Sequence, residues 1–125
     1  MVDRTWRDGD VLSLQLPLTL RSEPLPGDPT QHALMCGPLV LAGRLGHKGL
    51  TAETTRAEPT KPRTVPEYKL EPVTAPALRL SAADPAATLR AVPGKALTFV
   101  VDGQELVPMY RLFDERYAVY WSLRG

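Results

Sequence analysis

The sequence predicts an all-β fold, an antiparallel, jelly-roll-like β-sandwich of about eight short strands, and three observations predict it. Leucine occupies every even position from Leu12 to Leu20, with Ser13, Gln15, Pro17 and Thr19 between. A period of two gives a strand one apolar and one wettable face, whereas a helix would scatter those leucines around its circumference. The 13 prolines are about twice the usual share and favour short strands and turns over long helices. Asp-Gly, a dipeptide that accepts the positive φ of a tight hairpin turn, occurs at Asp8-Gly9 and again at Asp102-Gly103.

In chain order, the Asp8-Gly9 turn calls for a partner strand within Met1–Arg7, although Asp3, Arg4 and Arg7 make that stretch a poor apolar neighbour. The leucine strand follows and is read as covering a core on one side. Its short neighbour implies that further strands lie upstream of Met1. Arg21–Thr30, with Pro24, Pro26, Gly27 and Pro29, reads as a loop. His32–Cys36 and Leu39–Ala42 read as buried strands around a bend or bulge at Gly37-Pro38. Gly43–Gly49 is predicted as loop, and 50–76, rich in proline and mixed charge, as a long loop wrapping a surface or a neighbour. Strand signals resume at Ala77–Leu80, Thr88–Val92 and Ala96–Val101, with a turn, including one helical turn, over Ser81–Ala87. Beyond Asp102-Gly103, Glu105–Pro108 and Tyr117–Leu123 complete the set. In the last, alternation places Tyr117, Val119, Trp121 and Leu123 together, and Ala118, Tyr120 and Ser122 opposite.

At 125 residues the chain is one domain's worth. Fifteen basic against 14 acidic residues leave a net charge of +1, so no overall field recruits nucleic acid or an anionic membrane. The single cysteine, Cys36, excludes an internal disulfide and a multi-cysteine metal site within one chain.

Candidate chemistry is sparse. Asp3, Asp8 and Asp10 could hold calcium, but that ion wants six or more oxygens, and turn capping accounts for Asp8 and Asp10. His32 and His47 lack metal-binding spacing. Cys36 sits in an apolar run, as a small buried hydrophobe does. Trp6, Tyr110 and Tyr120 are the candidates for contact with carbohydrate, but packing is the favoured reading for the aromatics as a group; parity puts Tyr117 and Trp121 on a core face and turns Tyr120 the other way. The acidic pairs Asp102/Glu105 and Asp114/Glu115 match the two carboxylates of a glycosidase only in composition, because they fall in turn-like segments. No catalytic residue, cofactor or metal is assigned.

Four motifs in order carry a resemblance: Arg4-x-Trp6-x-Asp8-Gly9-Asp10, then LSLQLPLTLR, then GPLVLAG at Gly37–Gly43, and RYAVYW at Arg116–Trp121. Together they resemble the C-terminal β-sandwich region of glycoside hydrolase family 127, the bacterial β-L-arabinofuranosidase-like proteins, many long labelled as of unknown function. The resemblance implies an upstream catalytic (α/α)₆ barrel whose cysteine nucleophile sits at a zinc site of three cysteines and a glutamate. No residue here corresponds to that site, and Cys36 has no companion cysteines. The chain is accordingly expected to be one non-catalytic accessory domain over 1–125, the C-terminal part of a longer glycoside hydrolase, packing on the barrel or a neighbouring subunit. The alternatives are a free-standing carbohydrate-binding module and a β-edge assembly domain forming homo-oligomers. Neither nucleic acid nor a membrane is expected as a partner.

Overall fold

A computed structural model describes residues 1–51, 54 and 70–125. The strands and 3₁₀ turns among the described residues number eight and two. In chain order the strands are β1 (Leu20–Leu25), β2 (Asp28–Cys36), β3 (Leu39–Gly46), β4 (Arg90–Ala91), β5 (Phe99–Val101), β6 (Gln104–Pro108), β7 (Arg116–Ala118) and β8 (Tyr120–Ser122). All belong to one curled antiparallel sheet of order β1-β2-β3-β6-β5-β4, with β8 added to β2 and β7 to β3. β2 and β3 pair only near their turn, Leu34–Cys36 against Leu39–Leu41, and then part. β8 lies along Gln31–Ala33 and β7 along Gly43–Gly46, so the last strands fill the gap between them. The all-β prediction holds.

One side of the sheet carries Leu20, Leu34, Cys36, Leu41, Leu106, Phe99, Val101 and Trp121. It is covered by Leu78, Leu80 and Leu89 from the chain between β3 and β5. The other side has a smaller cluster of Ala42 and Val107 under Leu112, with Val119 beside it. Ala77–Leu80, predicted as a strand, contributes a single parallel bridge, Leu78 to Leu123. Its two leucines are nevertheless buried.

Several turns follow their residues. Asp102 and Gly103 take φ of +48° and +75° and join β5 to β6, as a hairpin with positive φ at both central positions requires. Asp84 caps the predicted helical turn, its Oδ1 accepting the Ala87 N–H at 3.3 Å. At Asp8-Gly9 the turn forms, Gly9 at φ +86° and the Asp10 N–H bonded to the Arg7 carbonyl, but no strand precedes it.

Four expectations are corrected. Arg21–Thr30 is not a loop: β1 and β2 form a hairpin closed at Pro26-Gly27, with Gly27 at φ +90°. Pro at the first central position and Gly at the second mark a type II turn, and Pro24 is tolerated because β1 is an edge strand. β3 continues to Gly46, through the stretch read as loop. Tyr117–Leu123 breaks at Val119. Val119 and Tyr120 share one side, Tyr120 opposite Ala33, while Ala118 and Trp121 turn to the main core. A bend at Val119, where the chain leaves β3 for β2, overrides the alternation. Finally, Leu12–Thr19 is not a strand of the sheet and covers no core; β1 begins only at Leu20. Most of the loop predicted over 50–76 lies outside the described residues.

Candidate functional site

Trp6, Tyr110 and Tyr120 are all exposed, by 49%, 56% and 47%, but on different parts of the fold. Trp6 stands before the first turn with the Arg4 guanidinium carbon 5.0 Å from its ring centre. Arg4 in turn donates to Asp10 Oδ2 at 3.0 Å, and the same oxygen accepts the Arg7 N–H at 2.9 Å. Asp10 therefore closes the turn, in keeping with the capping role over a calcium role. Tyr110 lies in the 3₁₀ turn Met109–Arg111 with Arg111 5.6 Å from its ring. Tyr120 is on the outer side of β8. There the fold brings it onto the same side as Tyr117, which sequence parity assigns to the core and which is in fact 47% exposed. The bend at Val119 hides this pair from a reading by alternation.

Of the acidic candidates, Asp102, Glu105 and Glu115 are engaged. Arg44, opposite Tyr117 on β3, reaches Glu105 at 3.1 Å and Glu115 at 2.6 Å, and Lys95 lies 3.5 Å from Glu105. Asp102 Oδ2 accepts the Arg79 N–H at 2.6 Å. These contacts tie loops to strands. Beside Glu115, Arg116 donates to the carbonyls of Lys48 and Glu71 at 3.0 and 2.5 Å. A shallow depression of about 290 Å³ lies here, lined by Leu45, Leu50, Leu70, Val73, Arg116 and Tyr117.

Cys36 is 2% exposed and its thiol is pushed up by burial, which disfavours the reactive thiolate. His32 stands opposite Trp121 in the β2–β8 register. His32 Nδ1 and the indole N–H of Trp121 are both buried without a hydrogen-bond partner. The Trp121 ring crowds Gly43. His47 is exposed on the turn after β3 and its carbonyl accepts the Leu50 N–H at 3.0 Å.

The leucine stripe itself is exposed. From Val11 to Thr19 the chain has no helix, turn or bend. Leu12, Leu14, Leu16 and Leu18 are 60%, 75%, 67% and 47% exposed, and Val11 is exposed as well. The segment is anchored at its far end, where the Thr19 carbonyl accepts the Gly37 N–H at 2.9 Å and Leu18 lies against Gly37. An uncharged run of ten residues, Val11–Leu20, thus leads out of a finished sheet into solvent. Clustered exposed apolar side chains of this kind mark interaction surfaces.

Fold and surface define a β-rich domain with its own closed core and an apolar arm outside it. The chain belongs to the DUF4986 family, a domain of unknown function, whose model matches residues 21–123. The match spans every strand except the first residue of β1, and the leucine arm precedes it. It carries no statement about glycoside hydrolase family 127. No curated protein and no solved structure matches the chain.

Proposed function

We propose that this chain is a non-catalytic accessory β-domain of a protein like those of glycoside hydrolase family 127, docking on the catalytic barrel or on a neighbouring subunit. The observation that carries the docking role is the exposed leucine arm, with Leu12, Leu14, Leu16 and Leu18 all in solvent beside a core that is already covered. Water disfavours such a surface, and a partner's apolar face would remove it from water. The link to the hydrolase family is supported by the order of the four motifs, from Arg4-x-Trp6 to Arg116–Trp121. A supporting role over a catalytic one agrees with the buried, high-pKa thiol of Cys36 and with carboxylates already held by Arg44 and by the Arg79 N–H.

One observation favours a second reading, a carbohydrate-binding module: Tyr117 and Tyr120 stand exposed on the same side of the sheet. Titration with arabinose-containing oligosaccharides separates the two, because the exposed Trp6 indole and the tyrosine resonances report on any bound sugar. The accessory reading expects no change up to roughly millimolar sugar, the weak end of specific affinity. Saturable shifts centred on Trp6, Tyr110, Tyr117 or Tyr120 would replace it with the module.

A further inference from the structure

We infer that the depression lined by Arg79, Leu80, Ser81, Thr88, Arg124 and Gly125 binds a tetrahedral oxyanion of the phosphate class, free or carried as a monoester on a small molecule. The backbone sets its two arginines side by side. Leu78–Leu80 runs parallel to Ser122–Arg124, because the Leu78 N–H donates to the Ser122 carbonyl at 2.9 Å and Leu78 pairs with Leu123. One step further, the Arg124 N–H donates to the Leu78 carbonyl at 2.8 Å, and the Arg124 carbonyl accepts the Leu80 N–H at 3.1 Å. A residue bonded in this way to both neighbours of Arg79 stands directly beside Arg79. Leu78 and Leu80 are buried in the core and Arg79 is exposed between them, so it points the other way. Leu123 packs on the same core and Arg124 after it is exposed, which puts both arginines on one side.

Like charges facing each other on adjacent strands, about 4.8 Å apart at the backbone, repel. Nothing in the chain offsets them. Neither guanidinium makes a hydrogen bond or ion pair among the described residues, and neither do the Ser81 and Thr88 hydroxyls. Asp102 directs its Oδ2 to the Arg79 N–H at 2.6 Å and Asp84 its Oδ1 to the Ala87 N–H at 3.3 Å. Four donors with no protein partner thus meet at one depression. A phosphate monoester answers them, with close to two negative charges at neutral pH and three acceptor oxygens. Guanidinium forks bond such oxygens in pairs, and hydroxyls donate to the rest. At about 440 Å³ the depression has the size of small-molecule sites and leaves room for the organic part of an ester.

Titration of the 125-residue chain with inorganic phosphate at low ionic strength, followed by NMR, tests this. Saturable shifts are expected at Arg79, Leu80, Ser81, Thr88 and Arg124. Arg79→Gln and Arg124→Gln should each weaken binding at least ~10-fold, the value of one charged hydrogen bond. Thermal midpoints give a second readout: without phosphate either variant should melt no lower than the parent, whereas saturating phosphate should raise the parent alone. Sodium chloride at matched ionic strength separates a site from screening. A hexose phosphate distinguishes the sources, since binding ~10-fold tighter than inorganic phosphate assigns the site to an ester and equal binding assigns it to the free ion. Shifts that survive both substitutions, an equal response to chloride, no saturation, or the same shifts with the unphosphorylated hexose would overturn the anion site.

Discussion

Trp121 Cη2 and Cζ2 would lie 2.3 and 2.4 Å from a Cβ built on Gly43, closer than real Cβ contacts come. Gly43 is buried in β3, where glycine is a poor strand former, and the reason for it is the indole. The ring is fully buried although its N–H has no partner, so packing outweighs an unmade hydrogen bond at this position. Gly43→Ala should therefore destabilise the domain by about 1–3 kcal/mol, the usual cost of overpacking a filled core. Urea unfolding of the two proteins measures it, and equal midpoints would mean that the ring moves aside freely. Trp121 was legible as core from the sequence, because an aromatic within an apolar strand is normally packed. What it packs on was not legible. Gly43 closes the GPLVLAG motif and looks like the start of a loop until β7 is seen opposite it.

The β1–β2 hairpin shows how an element escapes a reading by composition. Four breakers within Arg21–Thr30 suggest a loop, yet three of them occupy positions that a hairpin tolerates. Pro26 and Gly27 make the turn, and Pro24 sits on an edge strand. At the start of β2, the Asp28 carboxylate accepts the Thr30 N–H at 3.0 Å and the Thr30 hydroxyl at 2.5 Å. The hydroxyl, and after it the backbone N–H, holds that carboxyl below its ordinary value of 3.8. A carboxyl with a depressed folded-state pKa stabilises the fold above its unfolded value, and that contribution fades as pH falls through the folded one. Asp28→Ala should accordingly melt below the parent chain at neutral pH, with the gap closing as pH is taken from about 5 to below 3. Melting curves across that range decide it: a gap of constant size would place the effect in backbone propensity instead of the ionised carboxylate. By contrast, the Asp102-Gly103 hairpin was legible directly, since positive φ at two successive residues leaves few other dipeptides.

At the scale of the molecule, apolar residues divide into those that hold the sheet's cover and those that face outward from it. Leu78 has no exposed surface and stands among Leu34, Leu41 and Trp121, although its segment makes just one bridge. Leu14 is 75% exposed within the most regular apolar pattern of the chain. Leu78→Ala should cost about 2–5 kcal/mol, whereas Leu14→Lys should change the monomer's stability by less than about 0.5 kcal/mol. Urea unfolding of the two variants separates core from surface. A large loss for Leu14→Lys would mean that the arm folds back onto its own sheet. The candidate aromatics divide in the same way: Tyr120 is exposed as its parity predicts, whereas Trp6, Tyr110 and Tyr117, for which the sequence favours packing, are exposed as well.

Local residue chemistry by itself determined the all-β class, the two Asp-Gly turns, the capped turn at Asp84 and the buried state of Cys36. Each of these depends on neighbours close in the chain, through allowed φ, missing N–H groups and the hydrophobicity of a short run. Only the tertiary structure decided which apolar side meets protein and which meets water. Alternation sorts side chains into two sides of a strand but cannot say whether another layer lies over either of them. That is why Leu78, on a segment with little pattern, is buried, and why the leucine arm, with the clearest pattern of all, stands in solvent.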